Sequence, residues 1–405
     1  MIGMEEKRPW RTSDFWTSPY NFIDQVTRGM HFPERVQVHD ATLRDGEQTP
    51  GVVFRKEEKV RIAALLEEIG VHRIEAGMPA VSEDDFAAIR DISSHRGPAK
   101  IMAFVRALKS DLDQAKECGC DGAIIEIPIG KPKLEYQFNW SWQRVLETSV
   151  EAIKYSRSLG LYTVYFPYDT TRADEDELEK VLRGVAEEAP PDSVGIVDTM
   201  GCALPQAIQY LVRKVKDIMG VPVEIHCHND LGMGVVDSIA ALAAGAEVVH
   251  VCVNGMGERT GNAALEEVTV ALKVLCGVDT GIRFERLREV SQVVKELSGF
   301  PLVPNKPVVG GGNFVRESGI GIDTVMKYPL AMFALNPRFV GSAPGVVLGK
   351  KSGLTSIKMK LQEFGMELPE DDMKALLKQV KDCSIEKKGL VSDDEFRQMV
   401  ERLHR

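Results

Sequence analysis

The sequence predicts an α/β protein built as a TIM (β/α)8 barrel, followed by a C-terminal loop-rich and helical subdomain. Three observations predict it. Short β-branched runs, each followed by a longer amphipathic stretch, recur eight times from Val36 onward. The chain has 405 residues, which suits a barrel of roughly 250 residues with appendages. After about residue 300 the pattern gives way to Pro- and Gly-rich segments and then to short helical ones.

The eight runs are VQVHDATL at 36–43, RIEAGMP at 73–79, KIMAFVR at 100–106, GAIIEIPI at 122–129, LYTVYFPYD at 161–169, SVGIVDT at 193–199, PVEIHCHND at 222–230 and VVHVCVNG at 248–255. Between them lie stretches such as KEEKVRIAALLEEIG at 56–70, with apolar residues at helical spacing. Strand-then-helix units in series mean a parallel sheet, and eight of them favour closure into a barrel. Residues 1–35 are polar and aromatic without clear period and read as an N-terminal extension; 36–300 form the barrel. SGFPLVPNKPVVGGGNF and ALNPRFVGSAPGVVLGKKSG make a loop-rich subdomain over 301–353, and 354–405 a small helical one.

Composition narrows the function classes. Apolar residues make up 44% and charged residues 27%, enough to bury a large core. The net charge of −10 argues against a nucleic-acid backbone or an anionic membrane as partner. Seven scattered cysteines, an odd count, argue against a disulfide scaffold and for a reducing cytoplasm. Cys118 and Cys120, the one close pair, carry a weak metal signal and read as incidental. No apolar run reaches the roughly 18 residues of a membrane span, and the N-terminus lacks a signal-peptide core.

In this fold the chemistry sits at the C-terminal ends of the strands. Strand one ends in Thr42-Leu43-Arg44-Asp45-Gly46-Glu47-Gln48, strand seven in His226-Cys227-His228-Asn229-Asp230, and Asn254-Gly-Met-Gly-Glu258-Arg259-Thr-Gly-Asn262 follows strand eight. His226 and His228 are two apart on a strand, so both imidazoles face the barrel mouth while Cys227 faces the helix layer. With Asp45 and a Gly-flanked Asn at other strand ends, they suit a divalent ion such as Mg, Mn or Zn. Arg44 beside that ion is placed to polarise a carbonyl and stabilise a growing oxyanion. At the same strand end Glu47 is a further catalytic candidate and Gln48 a substrate-binding one. Thr199, ending strand six, suits donation to a carboxylate; a cap is its plainer role. Glu126 on strand four and Arg106 at the end of strand three are further substrate-binding candidates.

TLRDGEQ, HCHND and NGMGERTGNAALEEV, with EAGMPAVSEDDF at 75–86, resemble the DRE-TIM metallolyase superfamily. More narrowly they resemble its Claisen-condensing branch of 2-isopropylmalate, homocitrate, citramalate and Re-citrate synthases. The resemblance spans about residues 36–355. It implies a TIM barrel and a divalent metal held by Asp45, His226, His228 and Asn262. It also implies a 2-oxo acid with Arg44 on its carbonyl and Thr199 on its carboxylate, an acyl-CoA co-substrate and a homodimer. The chain is shorter than a full 2-isopropylmalate synthase, so feedback through that family's leucine-sensing domain is not expected.

The sequence departs from the branch in its acid–base residues. The Glu of the usual Glu-Asp pair after strand five is Tyr168 here, followed by Asp169. Gly321 stands where a C-terminal His is usual, Arg316 replaces another, and GKHSG reads Gly349-Lys350-Lys351-Ser352-Gly353. No histidine occurs between His250 and His404, so an imidazole of this subdomain cannot be the acid or base. Either another residue such as Tyr168, Asp169 or Glu126 transfers the proton, or the chain uses a different acyl donor or runs a related lyase reaction. Two rival readings stand beside the synthase. One is a carbon–carbon lyase or aldolase of the same barrel, against which the cysteine-bearing loop of the CoA lyases is absent. The other is a catalytically inactive homologue. Arg106 favours a dicarboxylic 2-oxo acid; a surface arginine is its plainer role.

Overall fold

Eight parallel strands close in chain order into a barrel: β1 (Gln37–Asp40), β2 (Arg73–Gly77), β3 (Lys100–Arg106), β4 (Gly122–Pro128), β5 (Tyr162–Tyr168), β6 (Ser193–Asp198), β7 (Val223–Cys227) and β8 (Val248–Val251). The structure, a computed structural model, describes residues 8–95, 97–319 and 321–403. Closure is direct, since Gln37 to Asp40 of β1 pair with Val248 to Val251 of β8. Each strand is followed by a helix of the outer layer: α1 (Lys56–Glu68), α2 (Glu83–Ser94), α3 (Lys109–Glu117), α4 (Trp142–Ser158), α5 (Glu175–Glu188), α6 (Pro205–Met219), α7 (Gly234–Ala243) and α8 (Leu265–Cys276). The eight runs read from the sequence are these eight strands, their ends differing by a few residues.

The strand period of two decides what fills the barrel. On one side Met102, Phe104, Ile124, Val164, Phe166 and Val197 form an apolar cluster. Gly195 on β6 makes room for it, because a Cβ there would lie 2.6 Å from the Phe166 ring. On β1, β2, β7 and β8 the inward positions are instead ionisable: His39, Arg73, Glu75, Glu224, His226 and His250, all buried. The outward positions of the strands, such as Val38, Ile74 and Ile225, are fully buried beneath the helices.

Lys59 on α1 is 1% exposed and ties the loop after β1 to the helix layer. It pairs with Glu47 at 2.5 Å and with Asp85 of α2. Lys59→Met should therefore leave two carboxylates facing each other and cost about 3 kcal/mol of stability. A urea melt of the variant that keeps the parent's midpoint would refute this.

The chain divides into two compact units, the barrel unit Tyr20–Leu302 and a second unit in which the chain up to Pro19 joins the chain from Val303 onward. The N-terminal stretch expected over 1–35 is thus shared between the units. Within the second unit Trp16 N–H donates to Ala334 O at 2.8 Å, and Asn336 N–H to Asp14 O at 2.7 Å. Its helices Leu354–Glu363, Glu370–Lys387 and Asp393–Leu403 share a core of Ile357, Leu361, Leu376, Val380, Phe396 and Val400. The expected segment 301–353 thus begins in the barrel unit and, from Val303, joins the helical segment in one unit, where Leu348 also packs into that core.

Candidate metal and active site at the barrel mouth

Three segments far apart in sequence meet at the C-terminal ends of the strands. Asp45, just after β1, places Oδ2 3.2 Å from His226 Nε2 and 3.6 Å from His228 Nε2. The two Nε2 atoms lie 3.4 Å apart. Asn262 arrives from beyond β8 because the loop is stitched to the end of β7: Asn229 N–H donates to Gly261 O at 2.9 Å, and His228 pairs with Asn262 as an isolated bridge. Its amide nitrogen donates to Met256 O at 2.9 Å, which fixes the amide. Gly257 is required here, since it adopts φ 148° and a Cβ would approach Asp45 Oδ1 to 3.1 Å and collide with the Asn262 amide.

Asp45 Oδ1 and Asn262 Oδ1 are buried acceptors with no hydrogen-bond donor among the described residues. A buried unsatisfied acceptor is costly, and two beside a pair of imidazoles fit a hard or borderline divalent cation. Charge agrees. Burial would raise the Asp45 carboxyl, but Arg44, His226 and His228 outweigh it and hold it well below the usual range. Burial depresses His226, and lowers His228 to about 4 despite Asp45, so both imidazoles are neutral at pH 7, the form a metal ligand takes.

Arg44 lies beside this cluster with Nη1 3.3 Å from Asp45 Oδ2 and 3.2 Å from Gln48 Oε1. Its Nε pairs with buried Glu75, and its guanidinium carbon sits 3.9 Å above the Phe104 ring. Nη2 is buried and has no hydrogen-bond partner among the described residues. Thr199 Oγ1 accepts the Asp169 N–H at 2.7 Å, which leaves the hydroxyl proton to donate elsewhere. Arg259 grips Asp230 through two bonds of 2.9 and 3.0 Å and the Thr199 carbonyl through a third, joining the loops after β6, β7 and β8.

Other site candidates separate. Glu47 accepts from Phe54 N–H at 2.8 Å and pairs with Lys59, so both its oxygens are engaged. Asp169, with φ 62°, is held by Arg172 through bonds of 2.8 and 2.6 Å. Glu126, Tyr168 and Arg106 line one cavity of about 530 Å³ with Phe138 and Trp140. Burial raises the Glu126 carboxyl, against Arg44 and Arg106, and raises the Tyr168 phenol, helped by Glu126. Arg106 is half-exposed and bonded by Asp111 at 2.8 and 2.9 Å. In the second unit, Gly321 adopts φ 77° and Glu317 accepts the Lys351 N–H at 2.8 Å. His404 and Ile320 lie outside the described residues.

The HMGL-like family model matches residues 35–294, the whole barrel that carries this cluster. The chain belongs to the HMGL-like family. A second model, the homocitrate synthase post-HMGL domain-like family, matches 308–388 and sets this HMGL-like chain in the Claisen-condensing branch. It is similar to homocitrate synthase AksA of Methanopyrus kandleri, 41% identical over 95% of this chain and 96% of that one. A probable 2-isopropylmalate synthase of the same organism is 42% identical over 86% and 70% of the two chains. Among solved structures, a Bacillus subtilis HMG-CoA lyase superposes with a TM-score of 0.61 at 19% identity, covering 68% of this chain and 98% of that one. At that identity it bears on the fold alone.

Glu75, Phe104, His39 and His250 of this HMGL-like barrel went unremarked in the sequence as contributors to the site. The signal was present. Period two along RIEAG puts Arg73 and Glu75 on one face of β2, the same logic that places His226 and His228.

Proposed function

We propose that this chain condenses an acyl-CoA, acetyl-CoA first among them, with a 2-oxo acid on a divalent cation held by Asp45, His226, His228 and Asn262. Acyl-CoA, 2-oxo acid and water give a 2-hydroxy-2-alkyl diacid or triacid and free CoA. The observation that carries it is the convergence at one strand-end site of that ligand set, its orphaned oxygens and the unpartnered Nη2 of Arg44. When bound, the cation supplies a Lewis acid for the oxo group.

The chain's residues do the rest. Arg44 Nη2 donates to the oxo oxygen as negative charge grows on it. The Thr199 hydroxyl binds the adjoining carboxylate, and Gln48, through Arg44, completes the wall. Glu126, whose pKa burial raises, takes the α-proton of the acyl group, and the neutral Tyr168 phenol donates beside it. Glu47 and Asp169 act by position, one anchoring the loop after β1 and the other presenting Thr199.

The 2-oxo acid is dicarboxylic. Arg106 supports this, because Asp111 occupies Nε and Nη2 while Nη1 remains for a ligand at the cavity wall, and the homocitrate synthases agree by name. Arg106→Ala should raise KM for oxaloacetate or 2-oxoglutarate about tenfold and leave pyruvate unchanged. An equal effect on pyruvate removes the argument. A cytoplasmic homodimer completes the reading: all seven thiols are free, and light scattering that finds single chains would remove the dimer.

The deciding experiment incubates the metal-loaded protein with acetyl-CoA and a panel of 2-oxo acids while free thiol is followed. Thiol release dependent on one 2-oxo acid supports condensation. Cleavage of a hydroxyacyl-CoA without it would make the protein a lyase instead.

A further inference from the structure

Below the metal cluster the barrel holds two mirrored triads of ionisable side chains. Arg44, Glu75 and His39 form one: Glu75 pairs with Arg44 through Oε1, and His39 Nε2 donates to Oε2 at 2.9 Å. Arg73, Glu224 and His250 form the other, with bonds of 2.6 Å from Arg73 and 2.8 Å from His250. The two imidazoles stack at 4.1 Å with their planes 16° apart. His39, Glu224 and His250 could be read as a second metal site, as their ligand atoms lie within 4.8 Å of one another. The geometry speaks against it. Each Nε2 already serves a carboxylate, and the lone pairs of stacked parallel rings run side by side without converging on one point.

The upper triad has a different use. Arg44 must leave one nitrogen free while its others are held, and a carboxylate bound through one oxygen alone can rotate about its own Cγ–Cδ bond. We infer that His39, by fixing the second oxygen of Glu75, is a positioning residue that orients the Arg44 guanidinium so that Nη2 faces the substrate's oxo group. The inference rests on the proposed condensation for the identity of that oxo group. Three observations bear on it. Glu75 and His39 are wholly buried, so water cannot replace the lost bond. Phe104 closes one face of the guanidinium at 3.9 Å, and rotation in its own plane is restrained by Glu75 at Nε together with Asp45 and Gln48 at Nη1. Glu75 is a fixed anion, held at about 2 by Arg44 and His39 although burial alone would raise it.

The test compares His39→Phe, which keeps the ring and loses the donor, with His39→Gln, which keeps an N–H donor. Both are made in the full metal-loaded chain. His39→Phe should lower kcat about tenfold or more with KM for acyl-CoA unchanged, and His39→Gln should recover most of it. Calorimetric affinity for oxalate, a planar mimic of the 2-oxo acid's reacting end, should fall about tenfold in His39→Phe and recover likewise. Parent-like kcat and oxalate affinity in His39→Phe would overturn the inference. So would equal loss in both variants with a lowered Tm, or failure of both to fold, since a residue that only packs gives that result. Should the parent protein release no thiol with any 2-oxo acid, the condensation reading falls, and the oxalate affinities alone decide the role of His39.

Discussion

Asp45→Ala should abolish both divalent-metal binding and turnover. The substitution removes the one carboxylate among the ligands and leaves two neutral imidazoles and an amide, a set with little hold on a hard cation. Metal analysis after gel filtration should find the parent loaded and the variant empty. Adding Mg, Mn or Zn should raise the parent's Tm, as binding at a hundred times Kd stabilises by about 2.7 kcal/mol, and should not move the variant's. Losing several kcal/mol of charge stabilisation at the reacting oxygen predicts a fall in kcat on the order of 10³ or more. A variant that retained stoichiometric metal would show that the two orphaned oxygens serve some other partner, and a chelator that left the parent fully active would do the same for the reaction.

Arg44→Lys carries the second large effect. The charge is kept, yet an ammonium is a single point on a flexible stem and cannot hold Glu75, Asp45 and Gln48 while presenting a further N–H inward. The lysine should settle against Glu75, leaving the oxo oxygen without its donor. Removing one preorganised oxyanion donor typically costs about 10²–10³ in kcat. KM for the 2-oxo acid should move only a few-fold, since Thr199 and the metal ligands remain, and thiol release under saturating substrates separates the two. Arg44→Lys with kcat close to the parent would mean that Nη2 is not the donor. Arg44→Gln differs in kind. It strips the compensation from Glu75 deep in the barrel, so a loss of about 3–5 kcal/mol of stability should accompany the loss of rate.

Much of this site is legible in the sequence. His226 and His228 face the same way because a strand alternates its side chains, and Asp45 lies just past the end of another strand of the same barrel. A Gly-flanked Asn near a strand end was visible in the sequence, and the resemblance singled out Asn262, which lies eleven residues beyond β8 and is brought in because its loop bonds to the end of β7. Asp169 and Glu47 show the limit from the other side. As residue types they suit proton transfer, but whether a carboxylate is free depends on its neighbours, and Arg172 and Lys59 are brought to them by tertiary folding.

The order of strands and helices, the closure into eight, and the residue types at each strand end were determined by the sequence itself, because hydrophobic period and turn chemistry act locally. Which polar groups stay unpaired was decided only by the tertiary structure. Hydrogen-bond partners across a barrel come from strands tens of residues apart, and the proposed ligand site rests on Asp45 Oδ1, Asn262 Oδ1 and Arg44 Nη2 finding none among the described residues. The pairing of His39 with Glu75, 36 residues away, follows from the same physics: register between strands sets it, and no local pattern encodes that register by itself.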